Sequence, residues 1–169
     1  MPIDPKLEPW QVLGVAIRSE IDAAAFYTKL EERVKNVILL QKLKFLAMEE
    51  AHHKTIIERL ADQRFRGKPT DPPSASLLPP IAASLKPDAS VPELFQAALA
   101  AEVTTERFYD EAQAKAEDEM SRRMLAYLSR VERSHQAVIK AELELLEKFP
   151  DYYSVEDFNI GADLFHVGP

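Results

Sequence analysis

Leu43-Lys44-Phe45-Leu46-Ala47-Met48-Glu49-Glu50-Ala51-His52-His53-Lys54-Thr55-Ile56-Ile57 is the stretch whose reading decides the fold. Leu43, Leu46, Glu50, His53 and Ile57 alternate steps of three and four, the spacing of one face of a bundle helix. A carboxylate and an imidazole therefore lie one turn apart on an otherwise apolar stripe. Shifting the chain by 82 residues places this stripe on Leu125, Leu128, Glu132, His135 and Ile139. The same shift places Leu13 on Phe95, Ala16 on Ala98, Ile17 on Leu99, Glu20 on Glu102 and Phe26-Tyr27 on Phe108-Tyr109, with no gap. One helix pair is used twice.

Working outward, four segments carry helical periodicity: about Pro9 to Lys35, Val37 to Phe65, Pro92 to Glu117 and Glu119 to Phe149. The inward stripe of the first is Leu13, Ile17, Glu20, Ala24, Tyr27 and Val34; that of the second adds Leu39 and Leu60 to the residues above. Proline near a helix start is well placed, because the missing N–H has no partner there anyway. Gly67 and Pro69 close the second helix, and Pro150 the fourth. Residues 67–92 hold seven of the twelve prolines, so no long helix crosses them. They read as an ordered crossover with one helical turn near 80–86, packed through Leu77, Leu78, Ile81 and Leu85. The expected organisation is an all-α four-helix bundle over 1–149, with the crossover at 67–92 joining helices 2 and 3. A tail at 150–169, aromatic through Tyr152, Tyr153, Phe158 and Phe165, is expected to pack on the bundle or on a second subunit; His166 in it reads as surface.

Bulk composition narrows the function. The 169 residues suit one domain, and 46% of them are apolar, enough for a sizeable core. A net charge of −7 argues against nucleic acid or an anionic membrane as partner. The absence of cysteine removes disulfides, zinc fingers, thiolate iron sites and thiol catalysis. The N-terminus has no signal-peptide pattern, and the longest apolar run in the helices, Val37 to Leu40, is far short of a membrane span. The expectation is a cytoplasmic protein.

Each half supplies one glutamate from its first helix and a Glu-x-x-His from its second. Four glutamates on core stripes would repel one another and lose their hydration, at several kcal/mol per ion, unless protons or cations joined them. Two divalent cations neutralise four carboxylates, and a donor set of oxygen with imidazole suits iron or manganese. The candidate metal ligands are Glu20, Glu50, His53, Glu102, Glu132 and His135. Glu50 and Glu132 would bridge two ions, with Glu20 and His53 completing one and Glu102 and His135 the other. Such a centre leaves exchangeable positions for dioxygen or peroxide. The repeat also discriminates: Glu49 and His52 have the same spacing, but they map onto Val131 and Ser134 and are set aside. Tyr27 and Tyr109, seven residues after the first-helix glutamates, are either core aromatics or partners of a ligating carboxylate across the bundle. Glu106, where the first half has Ala24, is either an extra ligand or a partly exposed acid.

Taken together, Glu20-x-x-Ala23-x-x-x-Tyr27, Glu50-x-x-His53, Glu102 with Tyr109, and Glu132-x-x-His135 resemble the rubrerythrin branch of the ferritin-like di-iron carboxylate proteins, over about residues 9–149. The resemblance implies a ferritin-like bundle with two iron ions, with manganese or a mixed pair as alternatives. It implies an oxidoreductase, a peroxidase reducing hydrogen peroxide (or dioxygen) with electrons from an external donor. Other members oxidise and handle ferrous iron. An oxygenase acting on an organic substrate and a helical scaffold with a vestigial site are further alternatives. Full-length rubrerythrins carry a cysteine-ligated rubredoxin-like domain, which a chain without cysteine lacks, so the donor would be a separate rubredoxin-like protein or reductase. The family's extra carboxylate falls in the region of Thr105 and Glu106, where only Glu106 can serve. A homodimer is expected.

Overall fold

The computed structural model describes residues 7–70, 72–73 and 89–151. Among them are four helices and no strand: α1 (Pro9–Glu31), α2 (Val37–Arg64), α3 (Val91–Lys115) and α4 (Glu119–Lys148). The expected crossover contacts through Leu77, Leu78, Ile81 and Leu85, and the packing of Tyr152, Tyr153, Phe158, Phe165 and His166, lie outside the described residues.

Each helix start has its local chemistry. Pro9 opens α1, where the Glu8 amide donates to Gln11 Oε1 at 2.9 Å in a capping box. Asn36 caps α2 by accepting from the amides of Ile38 and Leu39, at 3.0 and 3.1 Å. Ser90 and Glu93 form the capping box of α3, and Asp118 accepts from the Ser121 amide at 3.0 Å to open α4. These caps explain two departures from the sequence expectation. α1 stops at Glu31 rather than Lys35, because the extended Asn36 that caps α2 needs non-helical chain before it. α3 stops at Lys115 rather than Glu117, because Asp118 takes the same role for α4. Beyond α2, Gly67 has φ +80°, a conformation that side chains bearing Cβ rarely adopt.

Two apolar clusters fill the bundle. One joins Leu13 and Ile17 from the start of α1, Ile57 and Leu60 from the end of α2, Phe108 and Tyr109 from the end of α3, and Leu125 from the start of α4. The other joins Phe26, Leu39, Phe95 and Ile139, from the opposite ends of the same helices. Helices within each pair are thus antiparallel, and α2 and α3 both begin at the same end. The chain between Arg64 and Val91 has to return the length of α2, about 42 Å for 28 residues at 1.5 Å each. A short turn cannot span that distance, which accounts for a long connection. Between the two clusters lies one polar layer, made of the six candidate ligands.

Leu128 is fully buried in the first of these clusters. Leu128→Ala is expected to cost about 2–5 kcal/mol, through lost burial and the cavity left behind. Urea unfolding measures it, as a lower midpoint at unchanged slope.

Candidate metal centre

Glu20, Glu50, Glu102, Glu132, His53 and His135 are all at most 3% exposed. They form two overlapping groups whose donor atoms lie within 4.8 Å of one another: Glu20, Glu50, His53 and Glu132 in one, Glu50, Glu102, Glu132 and His135 in the other. Glu50 and Glu132 belong to both. Their carboxylates are divided between the halves: Glu50 Oε2 is 3.1 Å from His53 Nδ1, and Glu50 Oε1 is 3.3 Å from His135 Nδ1. Glu132 does the same, with Oε1 at 3.8 Å from His53 and Oε2 at 3.6 Å from His135. Each remaining glutamate faces one histidine: Glu20 Oε2 is 3.4 Å from His53 Nδ1, and Glu102 Oε2 is 3.5 Å from His135 Nδ1.

The tyrosines exchange partners across the bundle. Tyr27 on α1 donates to Glu102 Oε1 on α3, and Tyr109 on α3 donates to Glu20 Oε1 on α1. One oxygen of each terminal glutamate is thereby held, and the other is turned toward a histidine. Burial, reinforced by the nearby glutamates, pushes both phenols well above the usual range, so they stay protonated donors.

Charge in this layer is poorly satisfied by protein alone. Glu20 Oε2, Glu50 Oε1, Glu132 Oε1, His53 Nε2 and both ring nitrogens of His135 are buried without a hydrogen-bond partner. Burial, with Glu50 beside it, pushes Glu20 up to about 8 although His53 pulls the other way. Burial and the Glu50 and Glu102 charges push Glu132 well above the carboxylate range. Burial also opposes ionisation of Glu50, but the His135 and His53 imidazoles beside it outweigh burial and hold Glu50 at about 2. Burial disfavours the charged form of His53, yet Glu20 and Glu50 push it up to about 9; His135 is raised further by Glu102, Glu132 and Glu50. Protons stand in here for missing positive charge. Neighbouring ligands in an octahedral shell of radius about 2.1 Å lie about 3.0 Å apart, close to the spacing of these donors. The residues fit two divalent cations side by side.

Not every candidate joins the layer. The Glu106 carboxylate accepts from Arg133 Nη2 at 2.6 Å and Gln136 Nε2 at 2.5 Å, and stands in neither group. Arg133 and Gln136 bracket His135 on α4, so they take up the acid that the sequence left open as an extra ligand. Thr105 lies 3.4 Å from Ser19 through its hydroxyl. His52 is exposed. Glu49, which the repeat set aside, instead forms a group with His53 and His135. No repeat reveals it, because its counterpart is Val131; its position at i−4 from His53 was the available signal.

Two antiparallel helix pairs enclosing a layer of four glutamates and two histidines define a ferritin-like carboxylate bundle. Fold comparisons agree. The chain matches a hypothetical protein from Pyrococcus furiosus at 32% identity and TM-score 0.75, covering 88% of this chain and 97% of that one. It shares its fold with Mycobacterium tuberculosis bacterioferritin, at 21% identity and TM-score 0.67 over 88% and 90% of the two chains. It does so too with the manganese catalase KatB from Anabaena, at 19% identity and TM-score 0.67 over 90% and 80%. No curated protein matches it in sequence. Residues 11–143 match the Rubrerythrin family model, and the chain belongs to that family. Among the described residues no helix is long and apolar enough to cross a membrane.

The protonation pattern has a measurable consequence for the metal-free chain. Between pH 4.5 and about 8 the folded protein keeps a proton on Glu20 that the unfolded chain has released. Stability therefore falls as pH rises across that window. His53 adds a fall between 6.5 and about 9. Glu50 acts oppositely, between about 2 and 4.5. The metal-free protein is expected to be most stable near about pH 5 and to lose stability toward about pH 9, read as a falling urea midpoint. Saturating divalent metal should reverse the slope, since it binds the deprotonated ligands. A metal-free profile that rises from pH 5 to 9 would contradict the proton-filled layer.

Proposed function

We propose that this protein is a di-iron oxidoreductase that reduces hydrogen peroxide, or dioxygen, with electrons from an external donor. The observation that carries the reading is the division of Glu50 and Glu132, each with one oxygen toward His53 and the other toward His135. That arrangement would hold two ions side by side, with Glu20 and His53 on one and Glu102 and His135 on the other. When bound, a pair of irons supplies two electrons together, the number needed to convert hydrogen peroxide and two protons to two waters.

The chain's own groups support such chemistry. Burial of all six side chains keeps bulk water from the layer and strengthens its electrostatics. Tyr27 and Tyr109 fix the terminal glutamates and keep their protons beside the centre. Without cysteine the chain has no thiolate relay, so electrons would come from a separate rubredoxin-like protein or reductase. Manganese fits the same oxygen and imidazole donors.

Oxidation of ferrous iron as the substrate is the second reading. The capture of Glu106 by Arg133 and Gln136 favours it, because six protein ligands without a seventh carboxylate leave each ion less firmly held and freer to exchange.

Anaerobic loading with ferrous iron, followed by rapid mixing with peroxide or oxygen, separates the two. The expected result is two irons per chain, faster oxidation by peroxide than by oxygen, and return to the ferrous state on adding a donor. Turnover of many irons per chain instead supports the second reading. Glu50→Ala and Glu132→Ala should each abolish paired binding. Equal binding by these variants, or none by the wild type, defeats both readings.

A further inference from the structure

The six-residue centre leaves two buried donors unexplained. His53 and His135 both direct Nδ1 at the four glutamates. Their Nε2 atoms are buried and have no hydrogen-bond partner. The two rings stack with centroids 5.4 Å apart and planes 21° from parallel, which brings both within reach of a single side chain. That side chain is Glu49. It is half-buried, and a carboxylate oxygen of it lies with one ring nitrogen of each histidine inside a 4.8 Å group that contains none of the four layer glutamates. With Nδ1 turned to the layer, Nε2 is the nitrogen left for Glu49.

We propose that Glu49 is a positioning residue shared by both histidines, its two carboxylate oxygens each accepting an Nε2–H. A neutral imidazole carries one N–H, so a ring that gives Nδ1 to a metal must carry its proton on Nε2. A buried N–H without an acceptor is costly, and a carboxylate acceptor fixes the tautomer, the ring orientation and the basicity of the ligating nitrogen. A change of side-chain rotamer in Glu49 closes the remaining gap. The second half of the repeat has Val131 at this position, so it offers no acceptor of its own. One carboxylate therefore serves two half-sites, and the pseudo-twofold symmetry breaks just outside the ligands. The proposal rests on the di-metal reading of the centre but not on which reaction the metals perform.

Zinc(II), which is redox-inert, is the probe. The full chain with ¹⁵N-labelled histidine is loaded with zinc, and imidazole N–H signals and zinc affinity are measured for wild type, Glu49→Leu and Glu49→Gln. Wild type should show two slowly exchanging Nε2–H signals. In Glu49→Leu both should exchange faster, with zinc affinity about tenfold lower. Glu49→Gln, which keeps one accepting oxygen and turns the other into a donor, should keep one slow signal and an affinity between those of wild type and Glu49→Leu. Should Glu49→Leu misfold, Glu49→Ala carries the same comparison. Unchanged signals and affinity in Glu49→Leu overturn the proposal while leaving the two-metal centre intact. An equal loss in Glu49→Gln also overturns it, by showing that charge alone matters. Failure of the wild type to bind two zinc ions removes the di-metal reading, and this proposal with it.

Discussion

Four carboxylates in one layer of a helical core impose the constraint on which the rest of the molecule depends. Each is nearly inaccessible to water, and the layer holds only two imidazoles to offset them. Protons are the only compensation the chain itself can recruit, and they settle on Glu20, Glu132 and the histidines at pH values where such groups are ordinarily free. An apolar layer of the same volume would be easier to fold around. The apolar clusters on either side bear the cost, keeping the helices in register while the layer between them stays short of positive charge. Stability and chemistry are thus separated along the bundle axis.

Much of this was legible in the sequence, for a physical reason. A core stripe admits few residue types, so charged groups recurring on it at helical spacing are informative. Their recurrence at a fixed offset turned weak pairs such as Glu50 and His53 into a constellation. All six candidate ligands meet in the layer, and the two tyrosines reach across to the glutamates of the opposite half. What was not legible depends on tertiary neighbours or on local capping. The end of α1 near Glu31 has no glycine or proline to mark it; Asn36 decides it from the next helix. The fate of Glu106 depends on Arg133 and Gln136, partners 27 and 30 residues away. Glu49 was discarded by the very filter that selected Glu50, since a symmetry test cannot see a residue that serves both halves from one side.

Family membership and geometry bear on different questions. The match over residues 11–143 and the likeness to bacterioferritin and manganese catalase place the fold. One neighbour of this fold is a manganese catalase and another a bacterioferritin, so the reaction has to be argued from the groups around the layer. In this chain those groups are unequal. The α4 side carries Arg133 and Gln136, which hold an acid away from the centre, and the α2 side carries Glu49, which brings one toward it. Near-symmetric ligands thus sit in asymmetric surroundings, and the two half-sites are chemically unequal.

The exchange of tyrosines has a consequence for how such a molecule can be assembled at all. Tyr27 bonds the glutamate of the other hairpin, and Tyr109 returns the bond. A lone α1–α2 hairpin would own a phenol and a carboxylate that are not each other's partners, and half of a bridging pair. The smallest self-sufficient unit is therefore two hairpins, whether they lie on one chain or on two. Joining them covalently adds no group to the layer; it removes the concentration dependence of bringing the halves together, and then leaves each half free to diverge, as Glu49 and Val131 have.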